Sequence, residues 1–170
     1  EWEKPENKSK LAQKDIDADW TKKNGERHFG YKDHVKCDAD SKLITNYSVT
    51  SASVHDSQRC LVFIGQEDEV LYADSAYSGK PIALALPENC KNQICEKGFR
   101  NSPLTSEQKM NNRRKSRIRC RIEQIFGFMT GAMHGITIRS IGITRAWMNI
   151  GITNLVYNFC RYSYLKRASA

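Results

Sequence analysis

Two short segments constrain the fold of this chain more than any other part of its sequence. The segment LYADSAY, residues 71–77, starts with an apolar run that is typical of the end of a buried strand, and Asp74 follows at its tip. The segment RCRIEQIFG, residues 119–127, has apolar residues at helical spacing, which places Glu123 on a helix. A buried strand and an amphipathic helix in one short chain predict an α/β fold.

Asp74 and Glu123 are candidate catalytic residues and candidate ligands of a divalent metal. Mg²⁺ prefers carboxylate oxygens and keeps waters that phosphate oxygens can replace. Two carboxylates that converge on one ion indicate phosphodiester chemistry, and they predict carboxyl groups within roughly 4–8 Å of each other. Two simpler interpretations stay open: Asp74 opens a turn, and Glu123 pairs with Arg119 one helical turn away.

The net charge of +8 predicts a polyanionic partner, of which nucleic acid is the commonest, although charge also serves solubility. The densest basic run is RRKSRIRCR, residues 113–121. Cations on a helix can contact backbone phosphates without reading sequence, whereas a merely solvated face with this many like charges repels itself. The candidate DNA-binding residues are Arg113, Arg114, Lys115, Arg117, Arg119 and Arg121.

The cysteines give no support for a structural metal or an extracellular protein. The six cysteines form no CxxC pair and lie at no zinc-finger spacing from a histidine. No signal peptide or apolar stretch of membrane length is visible, so we expect reduced thiols, a cytoplasmic location and no membrane partner.

Hydrophobic patterning predicts the order of the elements. A hairpin of two strands, at about 28–38 and 43–49, precedes a helix at about 56–65 and the strand 70–73 that carries Asp74. A helix at about 78–86, an edge strand at 93–95, a long helix opening near Ser106 and a last helix at 143–165 follow. In the string SVHDSQ, Asp56 or Ser57 is available to cap the first helix, and we expect Asp56 to do so and His55 to pack over the sheet edge, rather than to act at a site.

Four strings occur in the order and spacing found in the insertion sequence 5 family of bacterial transposases, which the chain resembles from about Asp15 to the NLVYNFCR stretch. They are HFGYKDHVKCD at 28–38, VTSASVHDSQ at 49–58, ADSAY at 73–77 and IEQIFG at 122–127. The resemblance implies a ribonuclease H-like mixed sheet flanked by helices, and an Asp, Asp, Glu triad with two Mg²⁺ or Mn²⁺ ions that cleaves and joins DNA. Asp74 would be the second Asp and Glu123 the Glu. It also implies transposon-end and target DNA as partners, and a homodimer of the full-length protein.

The departures from that family are equally specific. No strand of the form apolar, Asp, Ala or Gly, Thr is present for the first catalytic Asp, since Asp15, Asp17 and Asp19 lie in a polar stretch and Asp38 follows a strand. Ser116 and Thr130 stand where the related signature around Arg119 and Glu123 has Tyr and Lys.

We therefore interpret the chain, which begins at Glu1, as the carboxy-terminal piece of a transposase that lacks its first strand. The expected organisation is an extended polar arm at 1–27, a partial catalytic domain at 28–165 and a tail at 166–170. As a piece it is expected to be inactive. Two alternatives stay open, a catalytically inactive DNA-binding remnant and a stand-alone ribonuclease H-like nuclease.

Overall fold

The computed structural model describes residues 4–23 and 25–169. The strands are β1 Asp19–Lys23, β2 Glu26–Cys37, β3 Ile44–Ser51, β4 Val70–Leu71 and β5 Lys91–Asn92. The helices are α1 Lys8–Ala12, α2 Ser57–Phe63, α3 Lys80–Ala85, α4 Ser106–Arg119, α5 Arg121–Gly131 and α6 Ile143–Ala168. Helices and strands alternate after β3, so the chain has a mixed α/β architecture.

The strands form two separate sheets in the described part of the chain. β1, β2 and β3 make an antiparallel sheet in that order, and β4 pairs with β5 in parallel. The predicted hairpin 28–38 and 43–49 is confirmed by β2 and β3, although a single mixed sheet was expected. No strand described in 4–23 or 25–169 lies between β2 and β4, so these strands belong to two sheets.

The two faces of β2 are covered by different helices because alternate side chains point to opposite sides of a strand. On one side, Lys32 and His34 approach Asp56 at the start of α2. On the other side, Val35 and Cys37 pack against a core built from Ile44, Ile125, Met129 and Tyr157. The antiparallel sheet therefore lies between α2 and the pair α5 and α6.

Helix α6 is fixed to β3 by close packing and by side-chain hydrogen bonds. The Asn158 side chain accepts from Ile44 N at 2.8 Å and donates to Ile44 O at 2.8 Å, which satisfies backbone groups at the start of β3. Tyr47 lies against Gly151, where any Cβ would overlap the phenol ring. A larger residue at Gly151 would therefore require the Tyr47 ring or α6 to move.

A second, smaller core holds β4 and β5. It contains Cys60 of α2, Ala73, Ile82 of α3 and Ile94. The parallel backbone pairing continues beyond the two short strands, since Gln93 N donates to Leu71 O at 2.9 Å and Cys95 N donates to Ala73 O at 3.0 Å. The predicted strand 70–73 and the predicted edge strand 93–95 thus meet as one parallel pair.

Two segments differ from what the sequence predicts. Within 1–27, expected to be an extended polar arm, the described residues include α1 and β1, whereas residues 1–3 and 24 lie outside the described part. The expected long helix after Ser106 is divided at Cys120 into α4 and α5. Thr105 rather than Ser106 is its N-cap, in a capping box with Gln108.

Candidate functional site

Asp74 lies at the end of the β4 segment, where the sequence predicts it. Its carboxylate is exposed, and Oδ1 accepts a hydrogen bond from Ser75 N at 2.5 Å. Tyr77 N donates to Asp74 O at 2.9 Å, so Tyr77 closes the turn that Asp74 opens. The turn interpretation is therefore confirmed, and it leaves Asp74 Oδ2 without a protein partner among the described residues.

Glu123 lies in the first turn of α5 and is exposed. Arg119 Nη1 is 2.8 Å from Glu123 Oε1, so the simpler interpretation of an ion pair one turn away is confirmed. With 61% of the Glu123 side chain exposed, the pair is largely solvated and contributes little to stability. Such a pair can open to release the carboxylate without a large cost to the fold.

Contacts through β5 define how Asp74 and Glu123 are placed. Asn112 bonds both the N–H and the C=O of Glu96, and Lys115 Nζ donates to Ile94 O at 2.9 Å, so α4 runs antiparallel to β5. The Ser116 hydroxyl lies 3.7 Å from the thiol of Cys95, beside the end of β4. Glu123 follows in the first turn of α5, beyond the break between the two helices at Cys120. No hydrogen bond or ion pair joins Asp74 to Glu123 in the described chain, and a shared ion stays a prediction.

Tyr77, Asp56 and His34 form a further polar group near the end of β4. Burial, together with the nearby Asp56, Cys60 and Asp74, raises the pKa of Tyr77 to about 12, so both carboxylates lie near enough to the phenol to act on it. Asp56 occupies the N-cap position of α2 but makes no side-chain cap bond, and instead pairs with Lys32 at 3.3 Å. The predicted N-cap position of Asp56 is therefore confirmed, whereas its side chain makes no cap bond because the Lys32 ammonium competes for the carboxylate.

Thr50, His34 and Asp56 contact one another in the order of the nucleophile, histidine and acid of a catalytic triad. No sequence motif predicts this arrangement. His34 Nε2 is 2.7 Å from Thr50 Oγ1, and His34 Nδ1 is 3.6 Å from Asp56 Oδ1. The Thr50 hydroxyl also lies 3.1 Å from Ser51 O, to which it can donate, so its proton is shared with the backbone of β3. Thr50 is also only 3% exposed. The group therefore stabilises the sheet and is not a hydrolytic centre.

Helix α4 borders an open groove of about 590 Å³ that carries positive charge. Lys109, Arg113 and Arg117 line it at successive turns of the helix, together with Leu104, Asn112, Ser116 and Cys120. The three cations are exposed, and none has an ion pair or side-chain hydrogen bond with the described residues. The Cys120 end of the groove lies one helical turn from Glu123.

The six predicted DNA-binding cations divide into two groups. Lys115 binds Ile94 O and approaches Glu96, Arg119 pairs with Glu123, and Arg121 donates to Ala39 O. Arg113, Arg114 and Arg117 are exposed on α4 and have no such partner in the described chain. The first group has partners within the protein, and the second is available to a ligand. Lys109 is a cation of the groove that the sequence prediction missed, since it lies outside the dense run.

The carboxylates present do not make a complete metal site. Among the described residues, no three Asp, Glu, His or Cys side chains lie close enough together to hold an ion. Asp38, one of the alternatives for the first Asp, accepts bonds from Asp40 N, Ser41 N and the Ser41 hydroxyl in the turn after β2. Asp17 accepts from Ile143 N. Both carboxylates are therefore engaged in the fold.

No helix in the described part of the chain combines the length and apolar character needed to span a bilayer.

Comparison with known proteins agrees with the arrangement of motifs. The family model described as Transposase DDE domain matches residues 2–159. The chain is also similar to a protein named "Transposase for insertion sequence element IS1106" from Neisseria meningitidis serogroup B, with 34% identity over 117 residues. That match covers 67% of this chain and 40% of the relative, so the chain spans less than half of the relative's length. No solved structure matches.

Proposed function

This chain belongs to the transposase DDE domain family, and from that premise we propose that it is part of an insertion-sequence transposase. In this proposal the chain binds DNA through α4 and supplies Asp74 and Glu123 to the catalytic centre. The observation that carries the proposal is the groove on α4, where Lys109, Arg113 and Arg117 face solvent without protein partners. Its proposed ligand is the DNA backbone at the transposon ends or the target.

The spacing of these cations suits a phosphate chain. Residues four apart on a helix are separated by about 6 Å along its axis, so Lys109, Arg113 and Arg117 are spaced over about 12 Å of α4. Phosphates of one DNA strand advance by about 3.4 Å of helix axis per base pair, which allows each cation its own phosphate. Such contacts position DNA without reading its sequence.

The proposed fold relationship is to the ribonuclease H-like transposase domains. Helices on both sides of the β2 and β3 hairpin, together with a parallel β4 and β5 pair, support it. In this proposal a strand from outside the described residues joins β2 to β4 and brings the first carboxylate. Mg²⁺ or Mn²⁺ would supply Lewis-acid activation of phosphodiester oxygens at the completed site.

The second candidate function is DNA binding without catalysis. It is favoured by the absence of a three-ligand cluster in residues 4–23 and 25–169. One missing carboxylate leaves an ion without its bridge, so the chain by itself should bind DNA and not nick it. This expectation separates the activity of the chain from that of a complete family member.

DNA affinity measured against salt tests the role of the groove. The double variant Arg113→Ala and Arg117→Ala should weaken binding to a DNA duplex and reduce the slope of log K against log salt by about 2, because each lost phosphate contact removes about 0.9 of that slope. The measurement is fluorescence anisotropy with unrelated duplex sequences, which should give the same loss.

The matched control removes two exposed cations from the β1 and β2 hairpin, Lys22→Ala and Arg27→Ala. It lowers the net charge equally and should leave most of the slope intact. Equal losses in the two double variants would contradict the groove assignment, because they would show that only net charge matters. Lys115 is unsuitable for this test, since its contact with Ile94 O also stabilises the fold.

A further inference from the structure

A tight turn beside the groove on α4 carries an exposed aromatic ring. Phe99 N donates to Ser102 O at 3.0 Å and Ser102 N donates to Phe99 O at 3.1 Å, so residues 99–102 form a closed turn. Phe99 is 65% exposed. Because the two reciprocal bonds fix the backbone, a ligand that covers the ring has little backbone entropy to remove.

Gly98 joins this turn to the groove. A Cβ at Gly98 would lie 3.2 Å from Leu104 Cγ and 3.3 Å from Leu104 N, so the backbone that enters the turn packs directly on Leu104. Leu104 and Lys109 line the end of the groove that is opposite to Cys120. The Cα atom of Phe99 follows that of Gly98 at about 3.8 Å, so the turn borders this end of the groove.

The surroundings of Phe99 are cationic. Lys97 and Arg100 flank it in the sequence and are exposed, and neither has an ion pair or a side-chain hydrogen bond with the described residues. Residues 97–106 contain no Asp or Glu, and the carboxylate of Glu96 accepts from a side chain of α4 at 2.6 Å. An exposed ring among free cations fits a ligand that has both flat apolar faces and negative charges, which are the bases and phosphates of a nucleic acid.

We propose that Phe99 stacks on an unpaired base of DNA whose backbone lies in the groove, so that the chain prefers duplex ends that carry a single-stranded overhang. The stacking site rests on the proposed DNA-binding function of the groove and specifies the class of DNA that it takes. In an intact duplex both faces of a base are covered by its neighbours, so the ring could stack there only by opening a base step. An overhang offers a free face, and stacking on it tolerates any sequence.

Fluorescence anisotropy with matched oligonucleotides tests the proposal on the full chain. One DNA is a blunt duplex, and the others are the same duplex with about six unpaired nucleotides at a 5′ or a 3′ end. The wild-type chain should bind one of the overhang duplexes about tenfold more tightly than the blunt duplex, as expected for one base stacked on an aromatic ring. Phe99→Ala should reduce this ratio of affinities to below about twofold.

Two further variants of Phe99 separate stacking from apolar contact. Phe99→Leu keeps an apolar side chain without a ring and should lose the preference as Phe99→Ala does. Phe99→Trp should keep it, and the fluorescence that the new indole adds should be quenched by the preferred overhang duplex and not by the blunt one. The matched control is Phe159→Ala on α6, where the ring is 62% exposed, and it should keep the wild-type ratio of affinities.

The groove variant distinguishes failure of the stacking site from failure of the groove. Arg113→Ala with Arg117→Ala should weaken binding to all these DNAs and keep the ratio between them. Equal affinity of the wild type for blunt and overhang duplexes would overturn stacking and leave the groove assignment intact. A preference that survives Phe99→Ala would also overturn stacking, because it would come from the added phosphates alone. Equal losses on all DNAs in Phe99→Ala would overturn it too, and would indicate a wedge in paired DNA. Absence of salt-dependent binding to any of them would overturn both assignments.

Discussion

Asp33 is a buried carboxylate whose hydrogen bonds are only partly satisfied. It lies on β2 facing α6, and Asn154 Nδ2 donates to its Oδ1 at 3.3 Å. Asp33 Oδ2 and Asn154 Oδ1 are both buried without a hydrogen-bond partner among the described residues. Burial raises the pKa of Asp33 to about 6, and the bond from Asn154 only partly opposes this. The ionised form is therefore costly at neutral pH.

Replacing Asp33 by Asn should stabilise the protein above pH 6. The folded-state pKa of about 6 lies above the ordinary value of 3.8, so ionisation of Asp33 lowers stability as pH rises between these values. Asp33→Asn should raise the free energy of unfolding by about 1–3 kcal/mol at pH 7.5, with a smaller gain toward pH 4. Urea denaturation at several pH values measures the difference from the wild type.

Asp38→Asn provides the control, because the same chemical change should act in the opposite direction. The Ser41 hydroxyl and the Ser41 N–H hold the pKa of Asp38 below its usual value. That stabilisation is present above pH 3.8 and is lost as pH falls through the folded-state pKa. Asp38→Asn should therefore lower stability at pH 7.5. A loss of stability in Asp33→Asn at that pH would contradict the assigned cost of its charge.

At the scale of elements, local patterns predict the strands and helices but not the contacts that fix their ends. The alternation of apolar residues places β2, β3 and the β4 segment, and Thr105 with Gln108 places the start of α4. The start of α6 is different, since Gly142 has no side chain to cap it. Asp15 Oδ2 accepts from Gly142 N at 3.2 Å and Asp17 Oδ2 accepts from Ile143 N at 3.0 Å. More than a hundred residues separate these partners, so no local pattern predicts the cap.

Removing the Asp17 cap should destabilise the whole chain through α6. Asp17→Ala removes an acceptor and a negative charge from the helix N-terminus, which should lower the free energy of unfolding by about 1 kcal/mol. Asp17→Asn keeps an acceptor oxygen and should cost less. Thermal denaturation followed by circular dichroism compares them with Asp40→Ala, whose side chain is fully exposed. Equal stability of Asp17→Ala and Asp40→Ala would contradict the capping role.

For the candidate site, the sequence predicted residue types better than it predicted their partners. Asp74 at a strand end and Glu123 on a helix follow from short-range periodicity, and both positions are confirmed. Which arginines face a ligand depends on tertiary contacts. Lys115 binds Ile94 O and Arg121 binds Ala39 O, whereas Arg113 and Arg117 border the groove. A basic run in a sequence cannot distinguish these two groups.

The whole molecule is a DDE family chain whose described residues supply two exposed carboxylates and a cationic groove. We propose that Asp74 and Glu123 act only when a third carboxylate completes the site. Asp17 and Asp38 are engaged in a helix cap and a turn, so neither is expected to serve as that carboxylate. The protein in which this role can be tested is the chain with an upstream segment from a full-length relative joined before Glu1.

The most direct test is Mg²⁺-dependent nicking of transposon-end DNA by that restored protein. We expect that the chain alone does not nick DNA and that the restored protein does. Asp74→Asn or Glu123→Gln should reduce nicking by at least about a hundredfold while DNA binding persists. Nicking by the chain alone that Asp17→Asn or Asp38→Asn abolishes would contradict it. So would a restored protein that remains active with Asp74→Asn and Glu123→Gln together.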